Sequence, residues 1–176
     1  TKVQKNIMEQ EYEAMAILDY RTGQVNYVGL RYHHERVAFE TIHTIDELRD
    51  AMVNYVLRPA YREEFERRTK EEVLFPELER KGSATIYAYG TNGDQSVSMK
   101  RVTALFFDKS RKMVLGMVKN CPEVERLEKK LTENILSLQE VKDCLEVQNE
   151  GLRHPVEVEE KLKNELREDE KLLWWG

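Results

Sequence analysis

Ser83-Ala84-Thr85-Ile86-Tyr87-Ala88-Tyr89 alternates small or polar with apolar residues, and Thr91-Asn92-Gly93-Asp94 follows it as a turn. Gln95–Asp108 is then a long β-prone run, Asp108-Lys109-Ser110-Arg111 a second turn, and Met113–Val118 a short apolar strand. After Asn120-Cys121-Pro122 the period changes. Val124, Leu127, Leu131, Asn134, Leu138, Val141, Leu145, Gln148 and Leu152 step by three and four residues in strict alternation. A helix lying on a globule drifts toward 3.6, so this regularity predicts a coiled-coil seam, on which Asn134 and Gln148 fix register and strand number. The stretch therefore reads as an antiparallel meander whose last strand feeds a coiled coil.

Working outward, Met15–Tyr20 and Val25–Leu30 form a first hairpin around Arg21-Thr22-Gly23-Gln24, with Gly23 in the left-handed position. Arg31–Thr41 is less regular. Thr44-Ile45-Asp46-Glu47 is a capping box that opens a helix carrying Leu48, Met52, Val53 and Val56 on one face. Pro59 breaks that helix and starts the next, which presents Tyr61 and Phe65. Glu71–Arg80, with Pro76 inside, reads as a short helix and a loop. Met113–Val118 is apolar on both faces, as a central strand covered on both sides would be. Two strands, several short helices and three strands make an α+β layer: a five-stranded antiparallel sheet with helices on one face and a long C-terminal helix. The expected organisation is an amphipathic helix over 1–12, a domain over 13–120, a coiled-coil helix over 121–153, and a second helix over 154–176 that continues the coil or folds back.

This layout resembles PAS-type sensory domains over about residues 13–120. The likeness is carried by Ile17-Leu18-Asp19-Tyr20-Arg21-Thr22-Gly23, by Tyr55-Val56-Leu57-Arg58-Pro59-Ala60-Tyr61-Arg62-Glu63-Glu64-Phe65, and by the last two strands, Val102–Asp108 and Met113–Val118. It is most similar to the PAS-like modules placed ahead of diguanylate cyclase or histidine kinase outputs in bacteria. Such domains often end the last strand in Asp-Ile-Thr; here Asn120-Cys121-Pro122 stands near that place. The resemblance implies a sensory or regulatory domain that passes a signal through the joint Asn120-Cys121-Pro122 into the coil and on to a covalently linked output domain. The rival reading is a structural interaction module with no ligand, whose coil is the whole function.

Composition narrows the partners. The 176 residues hold 33 acidic and 28 basic side chains, and 35% of the chain is charged against the usual quarter or so. Residues 121–176 carry fifteen acids and nine bases, a net of −6, which leaves 18 acids and 19 bases before them. A near-neutral domain with an acidic tail lacks the basic face that phosphate binding needs, so nucleic acid is not an expected partner. No run approaches the ~18 apolar residues of a membrane span, so no membrane is expected either. Cys121 and Cys144 are too far apart in sequence to suggest a disulfide framework and point to a reducing cytoplasm. The opening Thr1 and closing Trp174-Trp175-Gly176 read as the ends of a fragment of something longer.

Chemistry-bearing clusters are sparse. Adjacent His33 and His34 on an extended segment point to opposite faces, and no Cys or Asp at ligand spacing completes a metal site. No Gly-rich phosphate loop, nucleophile elbow or zinc spacing occurs, so the expectation is a non-enzyme without an assigned cofactor. Cys121 follows Asn120, as the reactive cysteine of flavin-binding light sensors follows an asparagine, but it lies after the last strand and flavin photochemistry is not expected. Eight tyrosines interleave with the strands; Tyr27, Tyr55, Tyr87, Tyr89 and Phe106 are the candidate lining of a small-molecule pocket. The heptads, with the doubly apolar strand, imply a homodimer.

Overall fold

A computed structural model describes residue 2, residues 12–151 and residues 163–167. Most of the expected helix over 1–12 and of the segment over 154–176, with Leu152, lies outside the described residues; residues 163–167 are helical, and residue 12 is not. The elements follow in the order β1 (Ala14–Asp19), β2 (Gln24–Leu30), α1 (Ile45–Ala51), α2 (Pro59–Arg68), α3 (Glu71–Lys81), β3 (Ala84–Thr91), β4 (Val97–Asp108), β5 (Met113–Asn120) and α4 (Pro122–Gly151). All neighbouring strands are antiparallel, and the sheet order is β2-β1-β5-β4-β3. The last strand thus sits in the middle, between the first and the fourth, as its two apolar faces imply.

Local chemistry sets most boundaries. Gly23 takes φ 77° in the first turn, where Asp19 accepts hydrogen bonds from the amides of Arg21 and Thr22. The Thr44 hydroxyl accepts from the Glu47 amide at 3.2 Å and caps α1. Past Ala51 the helix widens into one π-helical turn, Met52–Val56, closed by the Leu57 amide on the Met52 carbonyl. That turn lets Met52, Val56 and Leu57 all reach the core. Pro59 opens α2 as expected. The helix over 71–81 runs through Pro76 where a loop was expected. An interior proline costs about 3 kcal/mol, but Leu74 and Leu78 are almost fully buried on either side of it, at roughly 1.5–3 kcal/mol each.

The β3–β4 turn departs from its Asn-Gly reading. Gly93 does not take positive φ; Gln95 does, at 68°. Glycine is needed at 93 for space, since a Cβ there would stand 2.6 Å from the His33 carbonyl oxygen.

The chain divides into two compact units, Thr1–Arg126 and Leu127–Gly176. The second contains the greater part of α4, a helix of 30 residues and thus about 45 Å. Among its described residues Leu127, Leu131, Leu138 and Val141 are exposed, Leu127 at 67%. Among the described residues, no helix is long and apolar enough to cross a membrane.

Candidate functional site

Strand register decides what the helices α1–α3 meet when they cross the sheet. On the face beneath them, one cross-strand row reads Tyr27, Ala16, Gly116, Ala104, Ala84 from β2 to β3. The next row toward the β1–β2 turn is bulky, with Leu18, Val114 and Phe106. Four consecutive small residues leave the middle of the sheet without side chains to fill it. The helices above do not collapse into the gap, because their own anchors, Phe65, Leu74 and Leu78, are already seated. A cavity of about 130 Å³ remains, floored by those small residues and roofed by Leu48, Met52 and Val56.

Lys100 closes one end of it. This side chain is wholly buried at 0% exposure, on the same sheet face. Its ammonium donates to Glu13 Oε1 at 2.7 Å, Asn92 Oδ1 at 2.8 Å and Asn120 Oδ1 at 3.0 Å, so all three of its protons are used. It also stands 5.4 Å from the centre of the Tyr32 ring, within cation–π range. The lysine stem passes against β3 only because residue 90 is glycine: a Cβ there would lie 2.9 Å from Lys100 Cδ and 3.3 Å from Val56 Cγ1. Three distant points of the fold meet on one ammonium: the entry to β1, the β3–β4 turn, and the last residue of β5.

The third point is the root of α4. Asn120 Oδ1 also accepts from the Ser98 hydroxyl at 2.8 Å. The Cys121 amide donates to the Met99 carbonyl at 2.8 Å, and Glu125 accepts from the Met99 amide at 3.4 Å, so the residue before α4 and the first turn of α4 together occupy both backbone groups of Met99. Cys121 is buried, and its thiol donates to Glu123 at 3.4 Å. That contact, after the Glu123 amide itself, holds the Glu123 carboxyl below its ordinary range. The segment 120–122 is therefore built into the sheet end by side chain and backbone together.

The remaining charges near the cavity are spoken for. Arg49 donates to Thr69 Oγ1 and Asp46 at 2.8 Å and to the Thr69 carbonyl at 3.1 Å. Arg68 pairs with Glu77 at 2.8 Å. Tyr20 and Tyr32 give their hydroxyl protons to the carbonyls of Thr69 and Thr91. Among the described residues, Tyr27 Oη is the only buried side-chain polar atom of the lining without a hydrogen-bond partner. Burial, with Glu40 nearby, pushes its pKa up to about 12.

Of the aromatic residues singled out from sequence, Tyr27 lines the cavity and the other four are elsewhere. Tyr87 lies on the opposite sheet face, and Tyr55 on the solvent side of the π-helical turn; each is 44% exposed. Tyr89 sits on the edge strand with its ring 6.2 Å from that of Tyr61. Phe106 is on the inner face, but its ring packs edge-on against Phe75, next to the cavity rather than along it. Strand parity separates Tyr87 and Tyr89 from the inner face. Lys100 and the row of small residues were missed by the sequence reading. A lone glycine at position 90 inside a β run was the available signal for a close approach. His34 accepts from the Arg36 amide through Nδ1, and no group of three or more His, Cys, Asp or Glu able to hold a metal occurs among the described residues.

The sheet order, with short helices on one face between the second and third strands and a long helix after the last, is a PAS-like α+β fold. Among solved structures, the chain is similar to the PAS domain of a protein from Colwellia psychrerythraea, with a TM-score of 0.42 and 12% sequence identity over 68% of this chain and 95% of that one. No family model and no curated protein matches the sequence.

Proposed function

We propose that this chain is a PAS-like sensory or regulatory module, not itself catalytic, which dimerises through α4 and passes the state of its cavity to a covalently linked output domain. The observation that carries the reading is the position of Lys100. It lines the cavity and holds Asn120, the residue from which α4 springs. An occupant that shifts the lysine shifts the root of the helix, a two-state element that both ends can bias. Pro122 at the start of α4 fixes φ near −65° and leaves the joint little slack. The exposed stripe Leu127, Leu131, Leu138, Val141, with Asn134 in register, supports a parallel homodimer. The coil would hand the shift to an output domain of the diguanylate cyclase or histidine kinase kind, in a bacterial cytoplasm.

Two measurements test this. Native mass spectrometry of the freshly purified chain, before and after gentle denaturation, should release a small molecule. Inserting Gly-Gly between Asn120 and Cys121 in the parent protein should preserve dimerisation and cavity occupancy while the output stops responding. An unchanged response would mean that the information does not travel through this joint. A cavity found empty in every preparation, with the dimer intact, would favour the interaction module instead.

A further inference from the structure

Resting on the sensory reading, we propose that the cavity takes a neutral, single-ring molecule carrying one hydroxyl or carbonyl group, which it binds through Tyr27. Size comes first. A dry cavity of roughly 150 Å³ holds benzene, so about 130 Å³ matches one six-membered ring. Charge comes next. The ionic side chains at the walls are already matched: Lys100 by Glu13 and two asparagine oxygens, Arg49 by Asp46 and Thr69, Arg68 by Glu77. A carboxylate or ammonium ligand would enter an apolar hollow with no free counter-charge, and an unpaired buried ion is strongly disfavoured.

Polarity is decided by Tyr27. Its hydroxyl is buried without a partner in a cavity whose other tyrosine hydroxyls, on Tyr20 and Tyr32, are bonded to carbonyls. A buried polar atom left unpaired is uncommon and costly, so one hydrogen-bonding group on the ligand is what the site lacks. Tyr27 is also the end member of the row that floors the hollow, next to Ala16 on the neighbouring strand. A flat ring lying over Ala16, Gly116 and Ala104 would thus have its polar substituent directed at β2.

The test uses phenol, benzene, benzoate and benzylamine as probes on the full chain, with binding followed by thermal shift and by NMR titration. Phenol and benzene should bind and the two charged probes should not. Tyr27→Phe should weaken phenol about tenfold, the worth of one buried hydrogen bond, and leave benzene within about twofold. Ala104→Leu should abolish binding of both. Gly116→Ala provides a milder obstruction, because its new methyl meets Leu18 Cδ1 at an ordinary 3.5 Å; it should weaken both probes. Benzoate or benzylamine binding better than phenol, or equal losses of phenol and benzene in Tyr27→Phe, would overturn the ligand class while leaving the sensory reading in place. Failure of all four probes would overturn the class too; the sensory reading would then stand or fall on whether a larger molecule is released in native mass spectrometry.

Discussion

Replacing Lys100 by methionine keeps the unbranched stem and removes the ammonium. Glu13 Oε1, Asn92 Oδ1 and Asn120 Oδ1 would then face a methyl group. Removing one partner of a buried ion pair costs about 3–5 kcal/mol, because the other is left uncompensated. Glu13 retains 20% side-chain exposure, so water can take up part of its lost bond and the lower figure applies, about 3 kcal/mol. At roughly 4 °C per kcal/mol for a domain of this size, the melting temperature should fall by roughly 12 °C. Urea unfolding should show the same loss with an unchanged slope, since the surface exposed on unfolding is the same. Pairing Lys100→Met with Glu13→Gln should cost less than the sum of the two single changes. Hydrogen exchange at the Cys121 amide should speed up in Lys100→Met, because Asn120 loses its anchor. A loss below about 1 kcal/mol, or strict additivity with Glu13→Gln, would refute the idea that this lysine ties the fold together.

Four further outcomes follow. Gly90→Ala should destabilise by about 1–3 kcal/mol in a melt, because the new methyl must displace the Lys100 stem and crowd Val56; a neutral result would mean that the stem has room to move. Leu131→Asp with Leu138→Asp should convert a dimer to a monomer by light scattering, whereas Asn134→Leu should raise the melting temperature and broaden the oligomer distribution; a fall in stability for Asn134→Leu would place that residue off the seam. On the acid side, the turn carboxyls of Asp19, Asp94 and Asp108 all sit below their ordinary range. Burial opposes this at Asp19, but the Thr22 and Arg21 amides outweigh it; Ser96 holds Asp94 down and Ser110 holds Asp108 down. Their stabilisation is complete above the unfolded carboxyl value near 3.9 and is lost as pH drops through the lower folded values. The melting temperature should therefore be insensitive to these groups above about pH 5 and decline below pH 4, with a shallower decline in Asp108→Asn.

What the sequence discloses here is whatever is decided within a few residues. Gly23, the Thr44 cap, Pro59 and the Asp108 turn each act on their immediate neighbours, and each occurs where its chemistry requires. The central place of β5 could be read from its two apolar faces. The cavity could not be read in the same way, because Ala16, Ala84, Ala104 and Gly116 are scattered along the chain and become a row only once the register of four strands is set. Lys100 is similar: its partners lie 87, 8 and 20 residues away, and nothing in Met99-Lys100-Arg101 says which cation faces inward. The passage of α3 through Pro76 also depends on distant packing, which outweighs a local preference.

The hollow over the alanine row makes pressure a reagent-free gauge of this domain. A void of 130 Å³ per molecule is about 80 mL per mole, within the span of volume changes that small proteins show on unfolding. If all of it were lost, a kilobar would tilt the equilibrium by about 2 kcal/mol toward the unfolded chain. A seated ring would take up that volume and leave little for compression to act on. The empty and occupied forms should thus differ in compressibility.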